Sequence, residues 1–152
     1  MYFDQMPEPS RSRLLNHPMP DLGETPCVGG PALADRRISL VTTAGLHDYR
    51  DAPFAPGRAE YRTIPTSMDM ADLITSHPST NIDRTGILRD IDTVFPIHRL
   101  REMADEGAIG SVAANHYSFL GATPPETFEG LIGGIAAAMK SDDVDGVLLA
   151  PV

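Results

Sequence analysis

Cysteine is nearly missing from this sequence: Cys27 stands alone among 152 residues. A single thiol excludes an internal disulfide framework and a cysteine-rich zinc site. Basic charge is scarce as well, with 12 Lys and Arg against 21 Asp and Glu and a formal net charge of -9. No basic stripe is available to displace counterions from nucleic acid, and the same charge disfavours an anionic membrane surface. No apolar run approaches the roughly 20 residues of a membrane span. The start, MYFDQMPEPSRSRLL, lacks the basic-then-apolar order of a signal peptide. The expected compartment is the cytoplasm.

Several catalytic signatures are absent too. No His-x-x-x-His or His-Glu-x-x-His helix offers a metal site. GLIGGIAA matches neither the P-loop nor the dinucleotide fingerprint, and no Gly-x-Ser-x-Gly elbow supports a Ser-His-Asp triad. Cys27, in TPCVGG, has no expected helix N-terminus or basic neighbour to make it reactive.

What is present fits one soluble domain. A hydrophobic fraction of 41% with 22% charged residues is enough to bury a core at this length. Residues 1–36 form an extended Pro/Gly-rich arm, because Pro7, Pro9, Pro18, Pro20, Pro26 and Pro31 forbid a long helix. Leu14, Leu15, Met19, Leu22 and Val28 give that arm apolar groups with which to pack on a body. Residues 37–152 form the α/β domain. ISLVTTAG (38–45) reads as a buried strand, followed by a Pro-rich loop over 46–60 and a second strand, YRTIP (61–65).

Ser67 is expected to cap a short helix carrying Met70, Leu73 and Ile74, with the loop HPSTNID (77–83) after it. Residues 87–95 are ambiguous between strand and extended loop. Pro96 opens a helix with Ile97, Leu100 and Ala104 on one face, and Gly107 stops it. AIGSVAA (108–114) reads as a buried strand. A helix follows, with a Thr123/Glu126 capping box, Pro124 in its first turn, and a stripe of Phe128, Leu131, Ile132, Ile135 and Met139. Gly133 and Gly134 within it imply close packing against a neighbour. The last strand is 146–150, also read as buried. Strands alternating with helices predict a mainly parallel sheet flanked by helices, in Rossmann-like or flavodoxin-like layers.

Three polar clusters carry the candidate chemistry. The first is Thr42, Thr43, His47, Asp48 and Arg50; the second is His77, Ser79, Asn81, Asp83 and Arg84; the third is Asn115, His116, Tyr117 and Ser118. In a parallel sheet the first and third share the carboxyl edge, where sites gather. His47 and His116 are the candidate catalytic groups, suited to proton transfer. Thr43, Asp48, His77, Asp83, Arg84, Asn115 and Tyr117 are the candidate substrate-binding groups. No metal ligand set is assigned. The plain alternative is that each His hydrogen-bonds a loop backbone. Asp142, Asp143 and Asp145 read as a solvated turn.

The segments LVTTAGLHDYRDAPF, YRTIP, SHPSTNIDR, VFPIHRLREMADEGAIGSVAANHYSFLG and DDVDGVLLAPV resemble the selenoprotein B subunits of the glycine, sarcosine, betaine and D-proline reductases, in particular the short D-proline reductase type. The likeness runs in order from 38 to 152. It implies reductive cleavage of an α-carbon to nitrogen bond, with electrons from a dithiol or thioredoxin-like donor. It also implies a partner subunit bearing a pyruvoyl group, a small amino-acid substrate and a hetero-oligomer. In that family a segment like VDGVLLAPV leads into the loop bearing selenocysteine or its cysteine replacement. A selenolate is an extreme case of the thiolate nucleophile.

The resemblance therefore places a selenocysteine or cysteine immediately after Val152. The expectation is an in-frame UGA there, making the sequence the amino-terminal part of a longer selenoprotein. Within the sequence itself no cofactor is expected. The competing expectation is a non-catalytic small-molecule-binding or assembly domain of the same family. A third, a metal-dependent hydrolase, requires metal at the His cluster.

Overall fold

The computed structural model describes residues 3–16, 29–80, 82 and 84–152. Strand β1 (Arg37–Thr42) is the spine of the fold. Ile38, Ser39 and Leu40 in it are buried, as a β-branched, apolar run predicts. On one side it pairs in parallel with β7 (Gly146–Ala150), from Ile38↔Gly146 to Thr42↔Ala150. On the other side it pairs in parallel first with β5 (Ser111–Val112) and then with β6 (Asn115–Ser118). The outer strand there, β3 (Arg62–Pro65), runs antiparallel to β6. The sheet is therefore mixed. A separate antiparallel pair joins β2 (Leu46–Asp48) to β4 (Leu73–Thr75).

Four α-helices stand among the described residues: α1 (Glu8–Leu15), α2 (Arg84–Arg89), α3 (Ile97–Asp105) and α4 (Glu129–Ser141). Helix α3 ends as Gly107 predicts. With φ +74°, Gly107 donates to the Ala104 carbonyl, and Ala108 donates to that of Met103, the paired bonds of a Schellman stop. Its buried Ile97 and Leu100 pack with Ile38, Leu40 and Phe95 on one face of the sheet. Alternation along β1 turns Val41 to the other face, where Tyr117, Phe119 and Ile135 of α4 form a second cluster.

Several expectations are corrected. The arm contains helix α1, capped by Pro7 with Pro9 in its first turn, a place where proline costs nothing. That helix buries none of its residues, and Leu14 and Leu15 are exposed, so no packing of this part of the arm on the body is seen. Met19, Leu22, Cys27 and Val28 lie outside the described residues. The helix expected after Ser67 is replaced by a single turn, Met70–Asp72, capped by Asp69, and by strand β4. Strand β2 arises inside the expected loop 46–60. The ambiguous stretch at 87–95 is α2 followed by the turn Ile91–Thr93.

The strand expected at 108–114 instead pairs over 111–112 and 115–118. The Thr123/Glu126 capping box does not form: Thr123 Oγ1 is buried without a partner, and α4 begins only after the turn Pro125–Phe128. Gly133 and Gly134 meet open space where a Cβ would stand, so they pack against nothing among the described residues. Finally, β7 is in place but not buried. No helix among the described residues is long and apolar enough to cross a membrane.

Candidate functional site

The parallel strands direct attention to their carboxyl edge, and Thr43 is its junction. The Thr43 N–H donates to the Ala150 carbonyl (3.3 Å), and the Gly121 N–H donates to the Thr43 carbonyl (2.9 Å). Its hydroxyl accepts from the Val152 N–H (2.8 Å) and lies 3.4 Å from the Val152 carbonyl. One residue thus ties together the segments that follow β1, β6 and β7. Gly121 suits this approach, since a Cβ there would sit 3.0 Å from the Thr43 side chain and push it back.

Beside this junction opens a cavity of about 340 Å³, lined by Thr43, Phe119, Gly121, Thr123, Pro125, Phe128, Glu129 and Ile132. Its walls are apolar apart from the two threonines and Glu129. Phe119 and Phe128 meet edge to face, with ring centroids 5.0 Å apart, which holds the wall rigid. An apolar crevice with few polar groups, at the carboxyl edge of parallel strands, is what a small-molecule site requires.

Of the site residues singled out from sequence, the structure brings Thr43 to this cavity and places the other described ones elsewhere, while Asn81 and Asp83 lie outside the described residues. His116 lies in β6, fully buried. The Leu40 N–H donates to its Nδ1 (2.9 Å), so the hydrogen sits on Nε2, which lies 2.9 Å from Thr66 Oγ1. The Thr66 hydroxyl then donates to the Ala113 carbonyl. Every polar atom of the ring is used, and the chain of bonds suits only the neutral form. Burial, helped by the Arg101 guanidinium, pushes its pKa down to about 4. Asn115 and Tyr117 flank it on the strand. The Asn115 carbonyl accepts from Ser39, and Tyr117 is buried against Tyr61 with its pKa raised by burial and then by Tyr61.

His47 sits in β2, buried edge-on to Phe54. Its Nδ1 is 2.8 Å from the Asp48 carbonyl. A carbonyl only accepts, so Nδ1 carries the proton and the buried Nε2 has no partner. Asp48 is gripped by Arg50, 2.7 Å from its Nε, and the hydrogen bonds from Arg50 hold its pKa down at about 2. His77 is buried, accepts from the Ser79 N–H through Nδ1 (3.2 Å), and has its pKa lowered by burial and by Arg84. Arg84 donates to the His77 carbonyl (2.6 Å). Asp83 lies outside the described residues. Among the described residues no three of His, Cys, Asp and Glu converge as a metal would require.

At the opposite, amino edge the acidic turn is more than solvated. Asp142 accepts from Arg37 (2.6 Å) and from the N–H groups of Ala114 (2.7 Å) and Asn115 (3.3 Å). Burial raises its pKa, but these bonds outweigh burial and leave it below the usual carboxylate range. Asp145 accepts from the Arg37 N–H. These carboxylates latch β7 to β1 and β6.

Sequence reasoning missed Phe119, Gly121, Thr123, Phe128 and Glu129 as site residues. With the strand carried to Ser118 the strand-to-helix loop becomes 119–125, at the carboxyl edge, but only the pairing of β6 with β1 and β3 sets that end. Placing the strand's end at Ala114 put the loop four residues too early.

Fold and edge together define an α/β domain with a small apolar crevice at the carboxyl ends of parallel strands. Residues 26–152 match the glycine/sarcosine/betaine reductase selenoprotein B family, and the chain belongs to that family. It is similar to D-proline reductase subunit gamma of Acetoanaerobium sticklandii, 34% identical over 128 residues, covering 77% of this chain and 49% of the relative. The chain spans about half the length of that curated relative. No solved structure matches it.

Proposed function

We propose that this chain supplies the substrate wall of a reductase subunit that cleaves the C–N bond of a small amino acid or derivative, of D-proline or glycine type. The observation that carries this reading is the clasp of Val152 by Thr43 at the side of the apolar cavity. A residue immediately after Val152 would begin at that crevice, where family resemblance expects selenocysteine or cysteine. A selenolate or thiolate there would supply the nucleophile that displaces nitrogen from the α-carbon, with two electrons from a dithiol donor.

The chain's own residues fit this role in a definite way. Phe119, Phe128 and Ile132 would cover an aliphatic body and exclude water. Glu129, the one ionisable side chain among the described residues that line the cavity, would receive a substrate ammonium. Among the described residues no cation lines the cavity, and a substrate carboxylate would be held from outside it, by the partner subunit with its pyruvoyl group. The enclosed His47 and His116 would position strands rather than move protons. The working compartment would be the cytoplasm, where dithiols stay reduced, and the arm 1–36 would lie outside the catalytic body 37–152.

Two measurements test the reading. The codon after Val152 should be UGA or a cysteine codon followed by open frame. Protein carrying that residue should open the D-proline ring to a linear primary amine, or release ammonia or an amine from glycine or a glycine derivative, only with dithiol present, and Thr43→Val should lower this rate about tenfold by loosening the clasp. Activity from residues 1–152 alone would overturn the nucleophile's placement. A second reading, a non-catalytic small-molecule-binding or assembly domain, draws support from the enclosure of both candidate catalytic histidines. It predicts ligand binding with no C–N cleavage under any of these conditions.

A further inference from the structure

Parallel strands are normally covered on both faces and paired on both edges. Strand β7 has neither protection. Among the described residues it pairs with β1 alone, leaving its outer edge open. Val147 is 43% exposed, Leu148 40% and Leu149 68%, and strand alternation puts these on both faces. The helix leading into β7 is in the same condition. Helix α4 buries only Ile135, exposes Ile132 at 49%, and has open space above Gly130, Gly133 and Gly134. From Leu131 to Met139 and from Gly146 to Val152 no side chain is ionisable, in a chain of net charge -9. A helix apolar on nearly all sides belongs inside a larger body.

We propose that β7 and α4 form one docking face, filled by a polypeptide segment corresponding to the half of D-proline reductase subunit gamma that this chain's match leaves uncovered. The missing length is ample: the match covers 49% of that relative, while a strand–helix–strand unit needs only about 30 residues. The segment adds a strand along the open edge of β7, covers Val147, Leu148 and Leu149 from both faces, and lays a helix on the glycines of α4, where the lack of side chains permits close approach. A second copy of this chain fits the face less well. A twofold axis would pair β7 antiparallel with itself and bring together two bodies of net charge -9 each.

The test mixes the chain with a polypeptide carrying the uncovered half of the Acetoanaerobium sticklandii subunit and reads sedimentation and amide hydrogen exchange. The expected result is a one-to-one complex in which β7 and α4 amides exchange at least tenfold more slowly. Leu149→Lys should weaken the complex at least tenfold while leaving the circular dichroism of the lone chain unchanged; Leu149→Ser serves if the lysine variant misfolds. Two outcomes overturn the proposal: a self-dimer of the chain with β7 protected in it, or a monomer whose β7 gains no protection from the added segment. Neither readout involves catalysis, so failure here leaves the nucleophile's placement standing, and failure of C–N cleavage leaves this face standing.

Discussion

Two neighbouring regions of this molecule reverse the usual arrangement of polar and apolar side chains. Where β1 meets β6, the interior holds His116, Ser39, Thr42 and Ser118, all fully enclosed. Where β1 meets β7, the surface carries Val147, Leu148 and Leu149. The first region shows that a buried polar group is tolerable once each donor and acceptor is paired. His116 achieves this with Leu40 and Thr66, and Ser118 accepts from the Leu46 N–H at 2.8 Å. The second shows that apolar character alone does not bury a strand. It must also have something to be buried against.

Breaking the polar interior should have the largest effect. His116→Ala removes the acceptor of the Leu40 N–H and opens a cavity beside Phe95, whose ring lies edge-on 5.6 Å away. An orphaned buried donor and a cavity together should cost about 3–4 kcal/mol. Urea unfolding measures it, and a loss under about 1 kcal/mol would show that the ring does not hold β1 to β6.

Acid should act on the same group somewhat less severely. The folded-state pKa of His116 lies at about 4, against 6.5 for the free side chain, so the unfolded chain takes up the extra proton first. The stability from this group is therefore complete above pH 6.5 and is lost as pH falls toward 4, by about 3 kcal/mol in all. His77, shifted downward by burial and Arg84, adds loss in the same direction. Unfolding curves from pH 7 to 4.5 should show the fall, and in His116→Ala most of it should be gone.

The apolar surface should respond least. Leu149→Lys in the lone chain should change stability by no more than about 0.5 kcal/mol, measured by the same unfolding curves. A loss of 2 kcal/mol or more would mean that Leu149 is packed, and the contrast between the two regions would fail.

Elements with strong local signals were legible in sequence. Helix α3 has Pro96 before it, an apolar face and Gly107 after it, and β7 is an apolar run starting at glycine; both sit where they were placed. Strands β2 and β4 are three residues each, too short to show a period. They exist because they pair with each other across 24 intervening residues. The site was less legible than the fold. Thr43 was found because it follows a clear strand. The rest of the cavity was missed because nothing local marks Asn115–Ser118 as strand: its pairing with β3 and β1 does that.

The sequence by itself determined the order of the main strands and helices, the acidic character, and the family, through consecutive motifs that keep their order along the chain. Only the tertiary structure decided which polar residues lie inside and which apolar ones lie outside. The physical reason is that burial depends on partners distant in the chain. A one-residue slip in the register with which a strand pairs reverses which of its side chains face the core. Local pattern shows what a side chain prefers; only the assembled sheet shows what it meets.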